Sequence, residues 1–158
     1  MTPLDGRAAL VTGASRGIGA AVARALAEQG VSLALASRSG DDLGIEDAVA
    51  RRCDVRRPDD LEAIAAEAVE RFGRLDILVA NAGVGAYGPF LELDPDHLEE
   101  MVDVNVKGTL YAVRAALPHL LASEEGDIVT IASEAGRRPR SHRILEAAFR
   151  PATEPSWG

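Results

Sequence analysis

At 158 residues, 47% hydrophobic and 27% charged, the chain has the length and balance of one globular domain. A formal net charge of −8 argues against nucleic acid and anionic membranes as partners. Cys53 is the only cysteine, which excludes an intrachain disulfide. No apolar run approaches the ~20 residues that span a bilayer, and the start of the chain has no secretory pattern, so the expected location is the cytoplasm. Apolar runs then alternate with helical patterns, the rhythm of a β/α protein. Residues 8–12 read as a buried strand. A glycine-rich turn follows, then a helix stopped by Gly30. Residues 31–36 form a second strand. The polar stretch 38–52 has room for one or two helical turns and ends in a weak third strand near 49–53. A helix begins at Pro58 with Asp59 and Asp60 in its first turn, carries Leu61, Ile64, Ala65, Ala68, Val69 and Phe72 on one stripe, and ends at Gly73. Residues 77–80 are a fourth strand, and 83–93 a glycine-rich loop. One long helix is predicted over 95–121, with Leu98, Met101, Val102, Val106, Leu110, Val113, Leu117 and Leu121 on its buried side. A fifth strand covers 127–132. Beyond 136 the texture changes: residues 137–158 hold five Arg and three Pro and read as an irregular tail, with at most a loose turn over 143–150.

The first strand runs into T-G-A-S-R-G-I-G, Thr12 to Gly19, and then into a helix. A first glycine lets the chain turn off the strand, a second lets backbone approach a pyrophosphate, and a third lets the helix pack close to the sheet. Gly13, Gly17 and Gly19 suit these roles. The helix start then offers free N–H groups to an anion. A P-loop is excluded, because Gly19 is followed by Ala20 where that motif needs Gly-Lys-Ser/Thr.

The spacing G-x-x-x-G-x-G is accompanied by Asp54-Val55, Asn81-Ala82-Gly83, Asn105 in V-N-V-K-G-T, and Ser133 in I-V-T-I-A-S-E-A-G. With these motifs in this order over residues 4–139, the sequence resembles the short-chain dehydrogenase/reductase family. The resemblance implies a Rossmann-type doubly wound parallel sheet in a three-layer αβα sandwich, with strand order 3-2-1-4-5 and the family's last strands missing. It divides the chain into a dinucleotide-binding part, 1–136, and a non-native tail, 137–158. It also implies that Gly13, Ser15, Arg16, Gly17, Ile18 and Gly19 hold a nicotinamide dinucleotide. Asp54 and Val55 would lie by the adenine, and Asn81, Ala82 and Gly83 by the ribose and nicotinamide. For the cofactor's identity, an acid past the second strand would bond the 2′-hydroxyl of NAD, and an Arg the 2′-phosphate of NADP. Here that junction is Ala36-Ser37-Arg38, and Asp41 and Asp42 come only later. Arg38, with Arg16 in the glycine loop, favours NADP(H) over NAD(H).

For catalysis, the resemblance gives Asn105 the water of a proton relay and Ser133 a hydrogen bond to the oxygen of a small alcohol or carbonyl substrate. No metal site is expected. The family's Tyr-x-x-x-Lys, which follows this serine, is absent. The tyrosines are Tyr87 and Tyr111 and the one lysine is Lys107, all before Ser133. The matching places fall near Glu146 and Arg150. A carboxylate ionised at neutral pH has no proton to give, and Arg keeps its proton, so neither Glu146 nor Arg150 matches the missing pair, and rescue by Glu146 or the nearby His142 is not expected. The tail after Pro139 reads as a shifted frame or a junction, which makes the chain a truncated product. Three functions stay open: an NADP(H)-dependent oxidoreductase by descent that is inactive as it stands, a non-catalytic NADP(H)-binding module, and a fragment without function. Apolar surface left on the long helix would favour homo-oligomers or aggregation.

Overall fold

The computed structural model describes residues 4–85 and 90–133. Its elements, in chain order, are β1 (Ala8–Thr12), α1 (Gly17–Ala27), β2 (Ser32–Ser37), β3 (Val49–Arg52), α2 (Pro58–Phe72), β4 (Ile77–Ala80), a 3-10 turn (Phe90–Glu92), α3 (Pro95–Met101), a π-helical segment (Val102–Lys107), α4 (Gly108–Ala122) and β5 (Asp127–Thr130). The strands form one sheet in the order β3-β2-β1-β4-β5, and every pairing is parallel. This is the Rossmann-type order expected from the sequence. The tail 137–158, with His142, Glu146 and Arg150, lies outside the described residues, as does Tyr87.

The register assigns the strand side chains to two cores. Leu10 stands beside Ala34 in β2 and Leu78 in β4, and all three join the core under α2 and α4. Val11 stands beside Leu35 and Val79, and these three join the core under α1. Strands covered on both faces need near-continuous apolar sequence, which β1, β2 and β4 have. On α2, Leu61, Ile64, Ala65 and Ala68 of the stripe are fully buried, and Val69 and Phe72 pack half-buried against the same core. Burying Leu61 or Ile64 contributes about 1.5–3 kcal/mol each. Pro58 opens this helix, and Gly73, at φ +76°, closes it with an amide bond to the Val69 carbonyl.

Two expectations are corrected. The segment between β2 and β3 holds no helix. Asp41 and Asp42 accept the amides of Leu43 and Gly44 two residues on, and these local turns displace helix. The helix over 95–121 is not uniform either. In the π segment the amide of Gly108 bonds the Asp103 carbonyl, five residues back. The wider turn rotates the downstream face. Val104, Gly108, Ala112, Ala115, Ala116 and Leu120 now face inward, while Leu110, Leu117 and Leu121 are 61%, 39% and 76% exposed. Close approach to the sheet selects Ala over Leu at the contact.

A polar network ties the other end of the sheet. Asp76, fully buried, accepts hydrogen bonds from the Ala8 amide (2.9 Å), Arg74 Nε (2.6 Å) and Ser123 Oγ (2.6 Å). Arg7 adds an ion pair to Asp127 at 2.7 Å and a hydrogen bond to the Glu125 carbonyl. Burial pushes the Asp76 carboxyl up, but bonds from Arg74, Ser123 and Ala8 outweigh it and hold the group below its ordinary value.

Candidate nucleotide-binding cleft

The sheet order reverses at β1, whose neighbours are β2 on one side and β4 on the other. Outside the carboxyl ends of these strands, crossovers diverge to opposite faces and leave a crevice. A cleft of about 500 Å³ lies there. Its lining brings together Gly13, Ser15, Arg16, Gly17, Ile18, Arg38, Asp54, Val55, Asn81, Ala82 and Gly83, which are scattered over seventy positions of sequence. Gly19 sits beneath rather than in it: a Cβ there would strike the Gly13 carbonyl oxygen and the Asn81 amide.

The floor is built by hydrogen bonds between β1 and β4. The buried Thr12 hydroxyl accepts the amides of Asn81 (3.0 Å) and Ala82 (3.1 Å). Asn81 Nδ2 donates back to the carbonyls of Thr12 (3.0 Å) and Gly13 (3.2 Å). Gly13 is then required twice over, by its φ of +65° and by Ala82 Cα, 2.8 Å from where a side chain would begin. Gly17, at φ +57°, opens onto empty space. The helix above it starts without a side-chain cap and without an acid in its first turn. Its first amides and its positive dipole end therefore face the cleft, the environment a diphosphate fits.

The adenosine side lies beyond β2 and β3. Ser37 Oγ accepts the Gly40 amide (3.0 Å) and meets Ser39 Oγ at 3.1 Å, which fixes the turn carrying Arg38. Among the described residues, the guanidinium groups of Arg16 and Arg38 make no hydrogen bond or ion pair. Asp54 is different. The Arg56 fork bonds its carboxylate, which lowers its pKa, the Arg56 side-chain bond contributing most. Beside it Cys53 is buried, and burial, with Asp60 and Asp54, pushes the thiol up to about 12. Among the described residues no group of three His, Cys, Asp or Glu is arranged to hold a metal.

Asn105 stands behind the cleft wall. Its Oδ1 accepts the Val84 amide at 2.8 Å, and its Nδ2 donates to the Val84 carbonyl at 2.9 Å. The half-buried amide thus meets its demand for partners on a loop twenty-one residues away. Its main-chain carbonyl, within the π segment, accepts the Thr109 hydroxyl at 2.9 Å. Ser133 is exposed just past the carboxyl end of β5 and does not line the cleft. Reading the sequence alone missed Thr12, Ser37 and Arg56. Thr12 and Ser37 had a signal, each a polar residue ending a strand of apolar ones.

Comparison with known proteins agrees with this geometry. The short chain dehydrogenase family matches residues 7–148. An uncharacterized oxidoreductase of Staphylococcus haemolyticus is 36% identical, covering 96% of this chain and 69% of its own length. A 3-ketoacyl-(acyl-carrier-protein) reductase of Brucella melitensis, solved with NADH, superposes with a TM-score of 0.84 at 30% identity, over 92% of this chain and 64% of that one. A short chain dehydrogenase/reductase of Burkholderia phymatum, solved with NAD, gives 0.84 at 34% identity, over 94% and 56%. The chain thus spans little more than half to two thirds of the length of such relatives. With a family match over most of its residues, this chain belongs to the short-chain dehydrogenases, a family of NAD(P)-dependent oxidoreductases.

Proposed function

We propose that the chain binds NADP(H) in preference to NAD(H), as the dinucleotide-binding part of an oxidoreductase of small alcohols or carbonyls, and that as it stands it does not turn the cofactor over. One observation carries the cofactor reading. Two guanidinium groups that make no hydrogen bond or ion pair among the described residues, those of Arg16 and Arg38, line the same cleft as the uncapped start of α1. In this reading the amides opening α1 hold the pyrophosphate, and Arg16 and Arg38 hold the 2′-phosphate. Asp54 and Val55 flank the adenine, and Asn81, Ala82 and Gly83 the ribose and nicotinamide. The cofactor supplies or accepts a hydride. Ser133 would bond the substrate oxygen, and Asn105 would hold the relay water while it keeps Val84 in place. A proton must also move, and residues 134–158 hold no tyrosine or lysine to carry it. Losing a positioned general acid costs ~10²–10⁴ in rate. A single cysteine fits a reducing compartment, and a cytoplasmic location is part of this reading; among the described residues, no helix is long and apolar enough to cross a membrane.

A thermal-shift titration tests the binding reading. NADPH should raise the melting temperature more than NADH, and Arg38→Ala should weaken NADPH far more than NADH. No shift with either cofactor would end the proposal, and equal losses would end the NADP preference. Turnover of generic ketones well above background would overturn the inactive reading.

A further inference from the structure

Two carboxylates line the cleft, Asp54 and Glu100. Either would repel a phosphorylated ribose, and Asp54 is close enough to Arg38 for the two charges to interact. Left alone, Asp54 would compete with a ligand phosphate for that guanidinium. Arg56 prevents this. Its Nε lies 2.9 Å from Asp54 Oδ1 and 3.0 Å from Oδ2, its Nη2 also bonds Oδ2, and its main-chain amide donates to Oδ1 at 3.0 Å. The fork spans only two positions, so the D-x-R sequence itself builds it. On its other side, Arg56 feels the charges of Glu100 and Asp103.

Resting on the dinucleotide reading above, we propose that Arg56 is a specificity-determining residue: by engaging Asp54 and offsetting Glu100 it neutralises both cleft carboxylates, which leaves Arg38 available and admits the 2′-phosphate. Arg56 works through Asp54 rather than by touching the phosphate. Its guanidinium is spent on a carboxylate, whereas those of Arg16 and Arg38 are not.

The test is calorimetric titration of NADPH and NADH into the wild type, Arg56→Gln, Asp54→Asn and the double variant. The readout is the ratio of the two affinities, so losses common to both cofactors cancel. Arg56→Gln should lower the NADPH preference about tenfold, the scale of one uncompensated charge near a surface site. The double variant no longer carries the Asp54 charge beside Arg38 and keeps only that of Glu100, so it should recover most of the preference. An unchanged ratio in Arg56→Gln makes Arg56 at most a general binding group and overturns the proposal. A ratio that stays low in the double variant makes it a direct phosphate ligand, which overturns it too. Should Arg56→Gln fail to fold, Arg56→Lys keeps the charge without the fork and should hold the preference near the wild-type value; a tenfold loss there counts against charge neutralisation. A ligand-free measurement separates this idea from the dinucleotide reading. The Asp54 carboxyl carbon, followed by NMR, should titrate below the ordinary Asp range in the wild type and move up in Arg56→Gln. No movement overturns the fork even if NADPH binds well. A wild type that binds neither cofactor but shows the movement fails the dinucleotide reading, and the specificity role falls with it, while the fork stands.

Discussion

β1 and β5 are both short strands with apolar cores, A-A-L-V-T and D-I-V-T, yet they live in different environments. β1 is buried along its whole length. β5, paired with β4 alone among the described residues, leaves Ile128 and Val129 each 44% exposed. Leu10, Leu78 and Ile128 even stand side by side in one row across the sheet. What separates them is cover. β1 has a strand on each side and a helical layer on each face, while β5 sits at the edge. α2 and α4 repeat the lesson: the apolar stripe of α2 is buried, while leucines of α4 face outward. Local sequence writes the element, and neighbours decide its burial.

The sharpest way to break this contrast is to cut the tie between centre and edge. Asp76→Ala removes the carboxylate that joins the start of β1 to Arg74 and Ser123. It leaves the Ala8 amide and the Ser123 hydroxyl without this acceptor, at about 1–3 kcal/mol each, while the half-exposed Arg74 regains water. Hydrogen exchange should show β5 opening before β1, and equal protection loss in both would refute an edge-first order. The wild type carries a pH signature of the same tie. The folded pKa of Asp76 lies below its unfolded value. Its stabilisation is therefore present above about pH 4 and lost as pH falls through the folded pKa. Urea midpoints measured down the acid range should fall for the wild type and fall less steeply for Asp76→Ala; parallel curves would show another group responsible.

A smaller pair of changes reads the row directly. Leu10→Ala should cost about 3 kcal/mol and Ile128→Ala under about 1 kcal/mol, from chemical denaturation, because only the first leaves a closed cavity. Similar losses would mean that Ile128 is covered in solution, for instance by another copy of the chain.

The same contrast explains what could be read from sequence. The glycine cradle was legible because Gly13 and Gly17 sit at positive φ between a strand and a helix, and the ends of α2 at Pro58 and Gly73 answer to local demands in the same way, whereas the strand order was legible only as what the family resemblance implies. The faces of α4 were not, because the π segment at Val102–Lys107 arises where Gly108 lets the chain approach Val55 closely, a contact between distant positions. Arg56 was missed for a different reason. Its fork to Asp54 is local, but its importance appears only when the fold sets Asp54, Glu100 and Arg38 around one cleft.

Asn105→Ala probes the π segment with a middling effect. It orphans the Val84 amide and carbonyl, so a loss of about 1–3 kcal/mol is expected, with weaker cofactor binding through the displaced wall. Unchanged stability and affinity would show that Val84 is held by something else.

The smallest effect tests the outward face. Leu121 is 76% exposed, so Leu121→Ser should change the stability of the isolated chain by less than about 0.5 kcal/mol. Leu110 and Leu117 are exposed on the same helix, and exposed apolar side chains on one helix favour association in water. Its consequence is therefore expected in association, not folding: sedimentation of Leu121→Ser should shift toward monomer at a fixed concentration, with the denaturation curve in place. A substantial loss of stability with no change in association would show Leu121 packed within its own chain, and the contrast between covered centre and open edge would then end at β5 and not include α4.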